Sequence, residues 1–477
     1  MNSVGWAGRA SGGSSAVALE VRGRPQVPLI VRAMAFCIFF FPSSMVFKPI
    51  GAAGTAPMIL ALLVFGLWLS SVLFGLHDPL SVKHPGRLAV GVLFLATSAS
   101  YVALYAGITG GSTELARASA DRWMLLLLAS AGVVIVVGEV IRTMDDAMVF
   151  LRALLAGASF CSLVAVVQFT LQLNPMEWFR VAMPGFDYNG GDTPFQSRGA
   201  LLRVAGSTFH SIELAVVSAM LLPLSIWRVI YDQRGHLIGR VLGPALLIFA
   251  IASTVSRSGI LGLLAGLVIF IPFLPSIPRL WALLGAPVAL AALFLGVPGL
   301  VSTLTGTVTT SSSDPSITTR TNNFPRVEAM VSERPWLGLG PGNYVADTAI
   351  HILDNQYLNA AVTQGIIGLV AIIIYLTLPG VSTVMAARAT ADPQLRSLAG
   401  AVGAGALVAA VCSLTFDSMS FPVFALTYPV LVGLGGAVWV MVKREKTADS
   451  LNELGFLRPV PDTGPGQPLR GDIPWTR

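Results

Sequence analysis

Apolar runs of membrane length recur from residue 27 almost to residue 442, and that succession limits the fold more than any other property of the chain. The hydrocarbon core of a bilayer is about 30 Å thick, and a helix needs about 20 apolar residues to cross it. Twelve such runs are read at 27–46, 55–75, 88–107, 122–142, 147–171, 211–231, 239–256, 258–274, 280–296, 356–379, 396–415 and 421–442. The seventh and eighth are short and separated only by a tight turn at Ser256, Arg257 and Ser258. The expected fold is all-α: a polytopic membrane helical bundle of about twelve transmembrane helices, with a long extracytoplasmic loop carrying short helices. Composition agrees, since 11% of the residues are charged where soluble domains carry about 25%. Nothing remains from which to build a soluble core, so a single domain over 27–442 must itself carry the function.

Residues 1–26 are rich in Gly, Ser and Arg and lack the apolar stretch of a cleavable signal peptide, so they are read as a flexible cytoplasmic tail. Residues 443–477, rich in Pro, Gly and charge, are read as a second disordered cytoplasmic tail. With the N-terminus inside, the cytoplasmic turns hold Lys83 and Arg87, Arg142, Arg234 and Arg240, Arg279, Arg388 and Arg396, and finally Lys443, Arg444 and Lys446. That distribution obeys the positive-inside rule. It puts two long loops, 172–210 and 297–355, on the outer face. These also carry arginines: Arg180, Arg198 and Arg203 in the first, Arg320, Arg326 and Arg334 in the second. An anionic ligand on the outer face accounts for them.

Three polar stretches are candidates for chemistry. In STVSRSGILGLLAG (253–266), Arg257 lies between two apolar runs at the expected membrane surface. An arginine near hydrocarbon either snorkels or pairs, and its planar fork suits a phosphate oxygen at headgroup depth. In RVAGSTFHSIELAVVSAMLLPL (203–224), Arg203 and His210 precede a span at the same expected depth, and Glu213 falls in the first turn. A carboxylate there is favoured by the helix dipole alone, and a histidine at an interface has structural uses too. The third stretch, 298–369, is the longest polar interval and contains Arg320, His351 and Asp354. Within it NFPRVEAMVSERPW reads as a short amphipathic helix with Val327, Met330 and Val331 on one face. GLGPGNY lacks the Gly-Lys-Ser/Thr of a phosphate loop and reads as a tight turn laid on the bundle surface. Asp354 precedes a helix start, where a carboxylate either caps the helix or accepts a proton from a sugar hydroxyl.

Several classes are excluded. The net charge of +6 lies between spans, which does not suit nucleic acid. Cys37, Cys161 and Cys412 fall inside apolar runs, with the spacing of neither a zinc site nor a disulfide framework. No Asp-x-Asp pair occurs on a cytoplasmic loop, no GxSxG occurs and no nucleotide-binding domain is attached, so no metal and no cofactor are expected.

Taken together, TVSRSGILGL, RVAGSTFH before a span and DNQYLNAAVTQGIIGL leading into a later one are similar to the O-antigen ligase and O-antigen polymerase superfamily. The resemblance runs over about residues 150–380, with a compatible FDSMSFP loop at 416–422. It implies metal-independent glycosyl transfer on the outer face of the bacterial cytoplasmic (inner) membrane, from a polyprenyl-diphosphate-linked oligosaccharide donor to a glycan or lipid acceptor. A flippase and a chain-length regulator are the partner proteins it implies. By the same resemblance Arg203 and Arg257 would hold the diphosphate, with Arg320 as a loop arginine of polymerase-like members. The family's histidine before the Asn of the His-Asn-x-Tyr/Phe-Leu motif is replaced by Asp354, and His351 lies three residues earlier. That departure fits capsule or exopolysaccharide polymerases better than ligases. It makes Asp354 the expected base, with His351 and His210 as competitors. The alternative class, a transporter or flippase of lipid-linked glycans, would want polar residues through its spans, whereas Glu139, Arg142, Arg152 and Arg228 lie toward span ends.

Overall fold

The computed structural model describes residues 27–108, 113–190, 195–198, 201–296, 315–344, 348 and 351–453. Side chains 315–322 also lie outside the described set. Each of the twelve predicted runs falls on a helix: α1 (Leu29–Phe40), α2 (Ala56–Leu73), α3 (Pro85–Tyr105), α4 (Glu114–Val140), α5 (Met144–Leu171), α7 (Ser211–Tyr231), α8 (Leu237–Ser253), α9 (Arg257–Phe270), α10 (Ser276–Gly296), α12 (Gln356–Ala389), α13 (Pro393–Cys412) and α14 (Pro422–Glu453). Among the described residues two further α-helices lie in the loops, α6 (Phe179–Ala182) and α11 (Pro315–Glu333). Eight of the described helices are long and apolar enough to cross a bilayer, whereas Leu29–Phe40, Leu237–Ser253 and Arg257–Phe273 are shorter apolar helices. The final helix continues to Glu453, so the first part of the tail expected to be disordered from residue 443 is helical.

Small residues bring the central helices together. In α13, Gly405 packs so closely on α7 that a Cβ there would lie 2.4 Å from the Met220 carbonyl oxygen. Such approach is how membrane helices gain contact when lipid is as apolar as the core. The buried charged side chains Glu139, Asp146, Glu213 and Asp232 all sit at helix ends. Asp232, at the C-terminus of α7, is engaged by Arg152 and by Arg228 at 3.1 Å, and these guanidinium groups hold its carboxyl down at about 2.

The end of the bundle opposite Asp232 is covered by the two connections between spans. Strand β1 (Met45–Phe47) pairs antiparallel with β2 (Phe186–Tyr188), and β3 (Phe195–Arg198) with β4 (Leu201–Val204). Ser207 joins both connections to the bundle, donating its hydroxyl to the Phe39 carbonyl and accepting from Ser43 N–H at 3.0 Å.

The GLGPGNY segment is not a surface turn, as expected, but a splice in α12. Gly365 has φ +67°, which breaks the helix where Ile366 N–H would reach the Val362 carbonyl. Instead Ile366 N–H donates to the Pro335 carbonyl at 2.7 Å, and Leu339 N–H donates to the Val362 carbonyl at 3.1 Å. Non-helical backbone at membrane depth is tolerated where protein satisfies it. Two glycines make the crossing possible: a Cβ on Gly365 would lie 2.4 Å from Trp336 backbone, and one on Gly338 2.5 Å from Thr363 backbone. The splice holds the first two turns of α12 against the covered end. Beside it α11 packs Val327, Met330 and Val331 on Leu353 and Val362, the predicted apolar face on a helix that begins earlier than its amphipathic pattern.

Candidate functional site

Helices α7, α9, α12 and α14 all begin at the covered end, and each start leaves backbone N–H groups in need of acceptors. His210 caps α7, its Nδ1 accepting from Ile212 N–H at 3.1 Å. Ser256 Oγ caps α9 by accepting from Gly259 N–H. Asn355 Oδ1 caps α12 by accepting from Tyr357 and Leu358 at 2.9 and 3.2 Å, so the capping role open to Asp354 is taken by its neighbour. The start of α14 is served from another helix altogether. Glu213 Oε1 accepts from Val423 and Phe424 N–H at 2.7 and 3.0 Å, while Oε2 accepts from Phe209 N–H at 2.8 Å.

Glu213 is fully buried, which makes it a staple between α7 and α14 instead of a simple dipole partner. A buried N–H deprived of its acceptor costs about 1–3 kcal/mol. Glu213→Ala strands three of them and is expected to lower the thermal unfolding midpoint in detergent more than any substitution in the arginine cluster described next. A midpoint equal to the parent's would refute the staple.

Arg203 and Arg257 both lie at the turn into α9. Arg203 on β4 stands opposite Gln196 on β3, and its Nε donates to the Thr254 carbonyl at 2.7 Å. Thr254 leads through Val255, which takes a left-handed φ of +47°, to the Ser256 cap and to Arg257, the first residue of α9. Both arginines are partly buried beside the dipole-positive end of that helix, an arrangement that favours an anion. His210 belongs to the same cluster, with Nε2 2.7 Å from the Gln196 amide nitrogen and its ring 6.0 Å from that of Phe421. Burial, and then the Arg203 charge, push its pKa down to about 4. The ring is therefore neutral, and its Nδ1 lone pair is committed to the cap.

A cavity of about 230 Å³ opens at the loop before α14, lined by Arg122, Trp123, Tyr344, Gln356, Asn359 and Asp417 among others. Asp417 comes from the loop between α13 and α14 that contains FDSMSFP. Its Oδ2 accepts from Asn359 Nδ2 at 3.0 Å and from the Ser420 hydroxyl. Its Oδ1 is sequestered from solvent and accepts no hydrogen bond among the described residues. Burial pushes the Asp417 carboxyl up to about 6, the Asp354 charge adds to the rise, and the Ser420 and Asn359 hydrogen bonds oppose it. Two contacts fix this loop. Gln356 Oε1 accepts from Met419 N–H at 2.7 Å, and Thr415 Oγ1 donates to Ser258 Oγ at 2.7 Å, one residue from Arg257. The loop thus joins the arginine cluster to the cavity.

Asp354 is exposed and lines a neighbouring cavity of about 160 Å³ with Asn323, Phe324 and Leu414. His351 lines neither cavity. Its Nδ1 lies 3.1 Å from Thr348 Oγ1, and its carbonyl accepts from the Tyr344 hydroxyl. Arg320 lies on α11, but its side chain is outside the described residues. Arg326 from the same helix stacks 5.9 Å over the Tyr344 ring at the cavity wall. Sequence reasoning noted FDSMSFP without assigning Asp417, although a carboxylate in a short loop between two apolar spans was a signal for it.

Residues 242–373 match the family model of O-antigen ligase, which bears out the resemblance to the O-antigen ligase and polymerase superfamily. A search of curated proteins returned no match. The matched region contains Arg257, Arg320, His351 and Asp354, while Arg203, His210 and Asp417 lie outside it and are brought to it by the fold.

Proposed function

We propose that this membrane protein of the O-antigen ligase and polymerase superfamily is a glycosyltransferase of the extracytoplasmic face, polymerising polyprenyl-diphosphate-linked glycan units without a metal. The observation that carries the reading is the loop of Asp417, which ties a pocket of saccharide-like lining to the turn that holds Arg203 and Arg257. Trp123 and Tyr344 offer aromatic faces, and Gln356, Asn359 and Asp417 offer polar groups, as sugar sites do. Arg203 and Arg257 hold the donor diphosphate and stabilise the charge that grows on it in the transition state. The Asp417 carboxylate takes the proton of the acceptor hydroxyl. The hydroxyl oxygen then attacks the anomeric carbon from the face opposite the diphosphate, a new glycosidic C–O bond forms, and the carbon–phosphate-oxygen bond breaks with its electrons leaving on the diphosphate. Configuration inverts.

A carboxyl raised to about 6 is a stronger base than an ordinary aspartate yet remains ionised at neutral pH. Asp354, the base expected from the motif, serves in this reading as the like charge that helps keep Asp417 basic. The transfer rate is therefore expected to fall as pH drops through about 6, where Asp417 takes up a proton. Asp354→Asn removes the like charge, lowers the Asp417 pKa and moves that acid limb to lower pH. A limb that stays in place in the pH–rate profile of the variant would take Asp354 out of this role.

The function itself is tested with purified protein in detergent and a polyprenyl-diphosphate-linked oligosaccharide. Products lengthened by whole repeat units are expected. Transfer of a single unit to a lipid acceptor would make the protein a ligase, and no transfer to either acceptor would overturn the enzyme reading.

A further inference from the structure

At the end of the bundle that holds Asp232, far from the site above, a groove of about 460 Å³ lies between the last turns of α12 and α14. Its floor is Met385 from α12 with Trp439 and Val442 from α14, and its rim is Lys443, Lys446 and Thr447. On α14 these positions follow helical spacing and form one stripe along the helix. The stripe changes character in order, from aromatic and aliphatic to cationic to hydroxyl. From Trp439 to Lys446 it rises about 10 Å, enough to run from hydrocarbon into the headgroup layer.

We propose that this groove binds an anionic phospholipid of the surrounding leaflet, with its phosphate on Lys443 and Lys446 and an acyl chain along Met385 and Trp439. No carboxylate among the described residues forms an ion pair with either lysine, so the rim presents uncompensated positive charge. Thr447 and Ser450 donate their hydroxyl hydrogens to the Lys443 and Lys446 carbonyls, both at 2.9 Å. What those oxygens offer a ligand is lone pairs, which suits a headgroup with hydroxyl donors, as in phosphatidylglycerol. The groove is also braced. The carboxylate of Glu445, between the two lysines in sequence, accepts from the Thr390 hydroxyl and from Ala391 N–H at 3.1 Å, fixing the α12–α13 turn to α14. The chain beyond Glu453 is a poorer occupant, since its Arg458, Arg470 and Arg477 offset Asp462 and Asp472 and it offers the lysines no net negative charge.

The test follows Trp439 fluorescence in the full chain, reconstituted in phosphatidylcholine and titrated with phosphatidylglycerol brominated on its acyl chains. Brominated phosphatidylcholine is the control lipid, and Trp439→Phe identifies the signal. Each basic residue near an anionic lipid contributes about one decade or a little less, so Lys443→Ala with Lys446→Ala is expected to weaken phosphatidylglycerol binding about 30-fold. Equal quenching by both lipids in the parent overturns the proposal, and so does a double variant that keeps the preference. Full competition by soluble glycerol phosphate would mean a phosphate site without a lipid. Quenching that emerges only after deletion of the chain beyond Glu453 would mean that the tail is the occupant, and either result refutes the assignment. If the double variant does not insert, comparison of the two lipids on the parent and on Trp439→Phe decides alone.

Discussion

Asp417→Asn is expected to reduce glycosyl transfer by about 10²–10⁴-fold, the range lost when a positioned general base is removed. The substitution keeps the shape of the side chain and an acceptor for Asn359 and Ser420, so the cavity wall persists. Stability is expected to move the other way. The folded Asp417 carboxyl titrates at about 6 against an ordinary 3.8, so the ionised form is disfavoured by folding. The parent therefore loses stability as pH rises from the ordinary value through about 6, and an uncharged asparagine is spared that loss. Above pH 7 the variant should unfold at the same temperature as the parent or higher, while its transfer is reduced as above. Parent-like turnover by Asp417→Asn would remove the carboxylate from the mechanism. A variant that is both inactive and less stable would indicate that the residue only holds the loop.

The second large effect is expected at Arg257. Loss of one preorganised donor to transition-state charge costs about 10²–10³ in rate, and Arg257→Ala should reach that range. Because the charge on the diphosphate grows as the bond breaks, kcat should fall more than KM rises. Arg257→Lys keeps the charge without the planar fork, so it should recover only part of the loss. Arg203 differs in a way the structure makes explicit, since its Nε holds the Thr254 carbonyl at the turn into α9. Substitution of Arg203 should therefore lower both transfer and thermal stability. A KM effect with unchanged kcat at Arg257 would reduce its role to ground-state binding.

Much of this architecture was legible before any coordinates. An apolar run of about 20 residues declares a membrane helix by itself, because lipid imposes the requirement on each run separately. All twelve runs fall on helices and the apolar face of Val327, Met330 and Val331 appears where read, while the turn read at Ser256–Ser258 lies at Thr254–Ser256, two residues earlier. The common depth of Arg203, His210 and Arg257 was legible for the same reason, since a position just outside a span has a known height. Height says nothing about which neighbours share it. His210 was a competitor to Asp354 as the base, and only the bond from Ile212 N–H to its Nδ1 commits it to a cap.

The local order of polar and apolar residues thus dictated the helices, their ends and the level at which the arginines sit, because each of these depends on a short window of chain and on the solvent around it. The staple of Glu213 on α14, the splice of the Pro335–Gly340 segment into α12 and the approach of Asp354 to Asp417 depend on residues far apart in the chain. No window contains both members of such a pair. They became visible only when the packing of small residues fixed how the helices stand beside one another, which turned an unassigned aspartate in a connecting loop into the proposed base.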